Sequence, residues 1–416
     1  MRFDVVNLGC KVNRVEIDGI AAKLLAAGSI HDASDPQVVV VNTCTVTGEA
    51  EKKTRKAVRG VLRAHADATV LVTGCAAAID AEAFASMSPR VQVVGKAQVV
   101  DVCEALFADG AGVSEAPCPE IAGVAQAPVV RFGGGFPTRV GIKVQDGCNH
   151  ACTYCIVHTA RGREASLPVD DVLATARAHV DAGARELVLT GINLGAYASD
   201  GIGLADLVRK IRLGCPEARV RISSVEPRNV DDALVELLAR EEGMVCRHLH
   251  LPLQAGSTRV LRDMARPYSA EEFCSIARRL YDRVPSMSLS TDIIVGFPGE
   301  TDEDFERTLE VARACRFSKI HVFRYSKREG TPAAARADQV PPEAIARRAR
   351  VLQSLAAELR RDCSLQRVGT RERVLVEADG RGTSESYFPV RTGDLQTGSL
   401  VSATLTSLDK DGIFCL

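Results

Sequence analysis

The residues in this chain best placed to do chemistry are Cys148, Cys152 and Cys155. They lie in the run Asp146-Gly147-Cys148-Asn149-His150-Ala151-Cys152-Thr153-Tyr154-Cys155. The spacing is Cys-x3-Cys-x2-Cys, with no fourth cysteine nearby. A closed ferredoxin-type site takes four thiolates per 4Fe–4S cluster. Three thiolates from one tight loop hold three irons and leave the fourth without a protein ligand, so a substrate or cosubstrate can chelate it. The same open position separates catalytic from structural zinc sites. Zinc is the rival metal for any cysteine cluster, but it more naturally takes paired Cys-x2-Cys knuckles.

A second set is spread along the first hundred residues. Cys10 follows Asn7-Leu8-Gly9, Cys44 follows Asn42-Thr43, and Cys75 follows Thr73-Gly74. Each stands just past a short apolar run that reads as a strand. At the carboxyl ends of parallel strands, where open α/β sheets bind ligands, three such cysteines can converge. The alternative is three core cysteines, since free Cys is often buried. Core residues would sit within the strands, not repeatedly beyond their ends.

The elements that must position these groups follow from hydrophobic periodicity. Strands are expected at Asp4–Leu8, Val38–Val41, Thr69–Val72 and Val91–Val94, with helices at Val12–Ala27, Glu49–Ala64 and Val99–Phe107. That alternation predicts a doubly wound parallel sheet over 1–108. Residues 109–137, rich in Gly, Ala and Pro, read as a linker. Six strands are expected over 138–336: Arg139–Val144, Glu186–Thr190, Val220–Ser224, His248–Leu251, Leu289–Val295 and Lys319–Phe323. Helical patterns intervene, which predicts a partial (βα)6 barrel with its chemistry at the carboxyl ends of the strands. Gly191, Asn193, Ser224, Glu226, Gln254 and Gly296 fall at those ends and line a candidate cofactor pocket. Residues 337–366 form a helical connector with several arginines, either a solvated basic face or an RNA contact. Residues 367–416 read as short strands of a small β-barrel, at Arg373–Glu377, Ser386–Val390, Leu400–Leu405 and Gly412–Cys415.

Composition bounds the function. The chain has 416 residues, a formal net charge of −1, 14 cysteines and no Trp. A charge near zero gives no global attraction for nucleic acid, so any RNA site is a local patch. The basic stretch of the Glu49–Ala64 helix is either such a patch or a solvated face. From Arg367 to Leu416 there are six basic and seven acidic residues, a poor balance for gripping phosphates, although Tyr387, Phe388 and Phe414 could stack on bases. The N-terminus lacks a secretory pattern and no apolar run is long enough for a membrane span. The expectation is a cytoplasmic protein whose cysteines are ligands or core residues, not disulfides.

The Cys148 loop, with aromatic Tyr154 before its last cysteine, resembles that of the radical S-adenosylmethionine (SAM) superfamily. Further stretches are similar to the radical-SAM methylthiotransferases: Leu8-Gly9-Cys10-Lys11-Val12-Asn13, Val41-Asn42-Thr43-Cys44 and Thr73-Gly74-Cys75. Gln145-Asp146-Gly147, Ala160-Arg161-Gly162, Leu194-Gly195-Ala196-Tyr197 and Tyr325-Ser326-Lys327-Arg328-Glu329-Gly330-Thr331-Pro332 look most like the branch acting on tRNA N6-threonylcarbamoyladenosine. The resemblance implies two 4Fe–4S clusters and SAM. Cys148, Cys152 and Cys155 would hold the SAM-cleaving cluster, and Cys10, Cys44 and Cys75 an auxiliary cluster for sulfur delivery. It also implies a SAM pocket that includes Tyr154, a C-terminal TRAM-like domain, a tRNA substrate, and a separate electron donor and sulfur source. No catalytic side chain beyond the cluster ligands is implied. The chain departs from the family pattern at His158-Thr159, where Pro-Tyr is common, and at Arg324, where Pro is common. Rival readings are the same chemistry on tRNA isopentenyladenosine or on an aspartate of a ribosomal protein. A rival of another class is a non-catalytic iron–sulfur RNA-binding or electron-transfer protein.

Overall fold

Val38, Val39, Val40 and Val41 are completely buried, as a β-branched run in a parallel sheet covered on both faces should be. They form the middle of the first sheet in the computed structural model, which describes residues 1–45, 48–107, 138–241 and 243–416. The expected linker at 109–137 lies outside the described residues. The first elements are β1 (Arg2–Asn7), α1 (Lys11–Ala26), β2 (Ile30–His31), β3 (Val38–Thr43), α2 (Gly48–Ala64), β4 (Thr69–Gly74), α3 (Cys75–Ile79), β5 (Val91–Val93) and α4 (Val99–Phe107). The strand order is β2-β1-β3-β4-β5, all parallel. The strands that precede Cys10, Cys44 and Cys75 are therefore neighbours.

The second unit has strands β6 (Arg139–Lys143), β7 (Glu186–Thr190), β8 (Arg219–Ile222), β9 (His248–His250), β10 (Ser288–Val295) and β11 (Lys319–Arg324). Pairing is parallel throughout, as β8-β7-β6 and β9-β10-β11. Parallel bridges Val220↔Val245 and Ser224↔His250 join the two halves. The result is a six-stranded arc with helices outside, including α5 (Ala270–Arg283) and α6 (Asp302–Ala314). Both helices begin with a capping box, Ser269 with Glu272 and Thr301 with Asp304, which satisfies otherwise orphaned amides. Leu249, Leu289 and Ile293 face the helices in one large core.

The arc is open between β6 and β11, and the N-terminal unit covers that side. α1 lies on β6 where Gly141 has no side chain; a Cβ there would meet Val15 at 2.4 Å. Just beyond β11, Ser326 Oγ accepts from the Gly48 amide at 3.1 Å and Arg328 pairs with Glu51 at 2.8 Å.

A long helix, α7 (Pro342–Leu365), then leads to a curled sheet of order β15-β12-β13-β14-β17-β16. Its strands are β12 (Arg371–Val376), β13 (Arg381–Ser384), β14 (Pro389–Arg391), β15 (Leu400–Thr404), β16 (Ser407–Leu408) and β17 (Phe414–Cys415). The strand expected at Ser386–Val390 is only Pro389–Arg391, because Tyr387 turns the chain at φ +69°. The unexpected strand β13 follows a tight turn through Asp379 and Gly380, both at positive φ, the Asp-Gly signal of a two-residue hairpin. The arginines of α7 are not one solvated face. Arg348 is buried against Glu300 at 2.7 Å, and Arg360 lies 3.7 Å from the Phe388 ring centre.

Two arginines of β8 clasp this sheet to the barrel. Arg219 and Arg221 share the buried carboxylate of Glu186 at 2.6 and 2.7 Å. Their remaining N–H groups donate to the carbonyls of Arg373, Thr383, Ser384 and Glu385 at 2.8–3.1 Å. Among the described residues, no helix is long and apolar enough to cross a membrane.

Candidate functional site

Gly147 sets the shape of the cysteine loop. Its φ is +69°, and a Cβ would lie 1.9 Å from the Arg163 carbonyl oxygen. Only glycine fits such a position without moving the backbone. The loop is then pinned from several sides. Cys148 N–H donates to Gly162 O at 3.2 Å, and Thr153 N–H and Oγ1–H donate to the carbonyls of Met264 and Asp263. Asn149 and Glu164 interlock through three hydrogen bonds of 3.1–3.2 Å. A Gly147→Ala variant is expected to fold but to lose about half of its iron on reconstitution, the share of this one loop, read by iron and sulfide content.

The three thiols have the surroundings of metal ligands. His150 N–H and Val157 N–H point at the sulfurs of Cys148 and Cys155, each at 3.4 Å. Arg266 Nη1 lies 3.3 Å from Cys152 Sγ. Burial pushes the Cys148 thiol up to about 11 and raises that of Cys155, so these sulfurs shed their protons to a metal, not to water. Backbone N–H and guanidinium donors then face the thiolates. The donor set fits an iron–sulfur group with one position open.

The sequence-expected pocket residues meet different fates. Asn193 is buried; its Nδ2 donates to Glu164 at 2.7 Å, while its Oδ1 is buried without a partner. An orphaned acceptor beside the cysteine loop suits a donor from a bound amino acid or nucleoside. Gln254 is buried at φ +66°, a strained conformation for a side-chain-bearing residue and frequent at ligand sites. Glu226 is paired with Arg266, which also donates to Tyr268 Oη at 3.1 Å. Ser224 bridges to His250 at the β8–β9 seam. Tyr154 is half-buried and packs on the barrel core. Two glycines serve internal packing: the Cβ position of Gly191 faces Gln145, and that of Gly296 faces Ile345 of α7 at 2.3 Å. The open space expected beside Gly296 is therefore filled by the protein.

At the other rim, Cys10, Cys44 and Cys75 stand at the ends of adjacent strands. Gly9, at φ +149°, would place a Cβ 3.1 Å from that of Cys44. Cys10 Sγ donates to Asn13 Oδ1 at 3.6 Å. Asn7 Oδ1 and Thr73 Oγ1 are buried there without hydrogen-bond partners.

One side chain joins the two rims. Arg161 Nε donates to Cys75 Sγ at 3.1 Å and Nη2 to Asn13 Oδ1 at 2.8 Å. Its Nη1 reaches Asp146, at the head of the Cys148 loop, at 3.0 Å, and Glu16 at 2.8 Å. Lys143 and Lys96 complete the group on Glu16. Burial works to raise the Glu16 pKa, but Arg161, Lys143 and Lys96 overcome it and hold the carboxyl well below its usual range. Glu16, Lys143 and Arg266 carried no signal in the sequence, because their partners lie in other elements.

Residues 142–312 match the Radical SAM superfamily, and residues 2–95 match the family described as "Uncharacterized protein family UPF0004". The chain is 34% identical to the threonylcarbamoyladenosine tRNA methylthiotransferase MtaB of Chlamydia pneumoniae, over 99% of this chain and 97% of that protein. It is also 34% identical to the MtaB of Thermotoga maritima, over 98% and 95%. It is 35% identical to the tRNA-2-methylthio-N(6)-dimethylallyladenosine synthase of Mycolicibacterium vanbaalenii, over 96% and 81%. Among solved structures, the radical S-adenosylmethionine methyltransferase TsrM of Kitasatospora setae shares the fold, with TM-score 0.58 and 17% identity over 80% of this chain and 77% of that one.

Proposed function

The chain belongs to the radical-SAM tRNA methylthiotransferase family, and from that premise we propose that it adds a methylthio group at C2 of N6-threonylcarbamoyladenosine in tRNA. The observation that carries the reading is the Arg161 bridge, which ties a three-cysteine rim to a separate three-cysteine loop. An electron carrier would use complete four-thiolate sites. Two incomplete sets side by side suit a reaction in which one set generates a radical and the other offers sulfur. The match along almost the whole of the MtaB relatives supports the threonylcarbamoyl substrate over isopentenyladenosine.

In this reading Cys148, Cys152 and Cys155 hold the SAM-cleaving 4Fe–4S cluster, and Cys10, Cys44 and Cys75 hold the auxiliary one. When bound, SAM and the two clusters supply the hydrogen-abstracting radical, the methyl group and the sulfur, chemistry that side-chain acids and bases cannot perform at an unactivated C–H. The protein's part is orientation. Arg266 keeps a positive charge on Cys152 and holds Glu226 at the pocket. Asn193 and the strained Gln254 present polar groups at the strand ends, and the backbone amides of His150 and Val157 fix the sulfurs. A cytoplasmic electron donor and a sulfur source complete the system.

The test is anaerobic turnover of the reconstituted protein with dithionite, SAM and tRNA carrying threonylcarbamoyladenosine, with nucleosides read by mass spectrometry. A 2-methylthio product is expected. 5′-Deoxyadenosine without that product would reassign the substrate. Arg161 acts as a positioning residue between the sets. An Arg161→Met variant is expected to keep forming 5′-deoxyadenosine while methylthio product falls about a hundredfold, because a misplacement of about 1 Å costs that much. A parallel fall in both products would deny it a role in joining the two steps.

A further inference from the structure

We infer that the inward face of β9, β10 and β11, with Lys11 and Tyr387, is a carboxylate-binding site that reads the threonine end of the substrate's N6 group. The inference rests on the substrate reading above. Over their first three residues these strands alternate between polar and apolar side chains. Leu249, Leu289 and Ile293 face the helices, while His248, His250, Ser290, Asp292, Lys319 and His321 occupy the opposite face. His250 is fixed by Ser290 Oγ at 3.0 Å and Asp292 at 3.3 Å. The His321 ring centre lies 5.8 Å from that of His250. One ligand atom from each of His250, Asp292 and His321 falls within 4.8 Å of the other two.

Such a triad by itself would suit a divalent cation, but its surroundings are cationic. Lys11, the first residue of α1, is exposed and has no ion pair among the described residues. Its ammonium lies 5.2 Å from the Tyr387 ring centre. Tyr387 also receives Arg221 at 4.5 Å and Arg139 at 5.9 Å, and its ring centre is 4.8 Å from that of His248. Arg139 is paired with Glu377, whereas Arg221 and Arg219 share one carboxylate, that of Glu186, so these two guanidiniums and Lys11 outnumber the carboxylates of Glu186 and Asp292. Burial lowers the His248 pKa, and Arg221, His250 and Lys11 push it further down; burial also lowers that of His321 against the pull of Asp292, with Lys319, His250 and Lys11 adding to the fall. This face therefore suits an anion that brings its own hydrogen-bond acceptors.

Of the two candidate nucleosides, the threonylcarbamoyl one carries a carboxylate and the isopentenyl one does not. Lys11 directly follows Cys10, so a carboxylate gripped by Lys11 stands next to the rim assigned to sulfur delivery. Both the ammonium and the His321 ring can donate to it, and Asp292 orients the neighbouring His250.

The test uses the holoenzyme and anticodon stem-loop RNAs that carry threonylcarbamoyladenosine, its carboxylate methyl ester, or isopentenyladenosine. Binding is read by competition, and kcat and KM by methylthio product. For the wild type, the ester is expected to bind about ten- to hundredfold more weakly than the acid, the worth of a charge-assisted hydrogen bond. In Lys11→Met, and in His321→Asn as a second variant with intact strand packing, the acid is expected to weaken toward the ester, with KM rising more than kcat falls. Iron content confirms that the clusters are retained. Equal binding of acid and ester by the wild type would overturn the inference while leaving the substrate reading in place. Product from the isopentenyl RNA alone would overturn both. Tighter acid binding only when a divalent metal is added, abolished by chelation, would replace the ammonium–carboxylate contact with a metal site and also overturn it.

Discussion

A Cys152→Ser variant is expected to produce no 5′-deoxyadenosine, at least a thousandfold below wild type, while the auxiliary set still takes up iron. Cys152 is the most buried of its trio, faces Arg266, and is followed by Thr153, which is hydrogen-bonded to Met264 and Asp263. An alcohol there stays protonated and gives the iron no anionic ligand, so the group with the open position is lost as a unit. Iron content should fall from about eight to about four per chain, the difference of one 4Fe–4S cluster. Cys75→Ser should give the complementary result: about four irons lost, with SAM cleavage retained and methylthio product absent. If either variant lost both clusters, the two sets would be one cooperative site and the division of labour would fail.

The second large effect concerns stability. Glu186→Gln removes the single carboxylate between two fully buried guanidiniums and is expected to cost about 3–5 kcal/mol, the usual penalty for leaving a buried charge uncompensated. Chemical denaturation followed by circular dichroism reads it as a lower midpoint. The pH dependence has a defined sign. Burial works to raise the Glu186 pKa, but Arg219 and Arg221 overcome it and hold the carboxyl below its unfolded value. A depressed folded pKa contributes stability that is present above the unfolded value of about 4.3 and is lost as pH falls toward the folded one. The gap between wild type and Glu186→Gln should therefore be widest near neutrality and narrow below about pH 4.3. A gap that does not change with pH would mean the carboxylate is not the source of the effect.

The cysteines and the strands that precede them were readable from sequence because each rests on local pattern. Val38–Val41 announces a buried strand, and Cys44 stands just past its end. The six barrel strands were likewise legible from apolar runs of ordinary length. What stayed hidden depends on contact across long separations. Arg161 appeared only as part of a short motif, with nothing to show that it would meet Cys75 and Glu16. Gly296 reads as room for a ligand, yet the room belongs to Ile345, 49 residues away in a helix whose docking no periodicity reveals. The C-terminal sheet was partly misread because Tyr387 adopts a conformation its residue type disfavours. The polar inward face of β9–β11 carried no reading in the sequence, because its meaning needs Lys11 and Tyr387 brought in from both ends of the chain.

The Glu186 clasp also has a consequence for synthesis on the ribosome. The carbonyls that accept from Arg219 and Arg221 belong to residues about 160 positions further on. At roughly 5–20 residues per second, the barrel floor waits on the order of ten to thirty seconds for its last acceptors to be made. During that interval two cations already committed to one carboxylate face an unfinished wall. The nascent barrel is then at its most exposed to aggregation, and a chaperone that shields this end would raise the yield of active protein. Stopping translation before Arg373 should leave Arg219 and Arg221 without these acceptors.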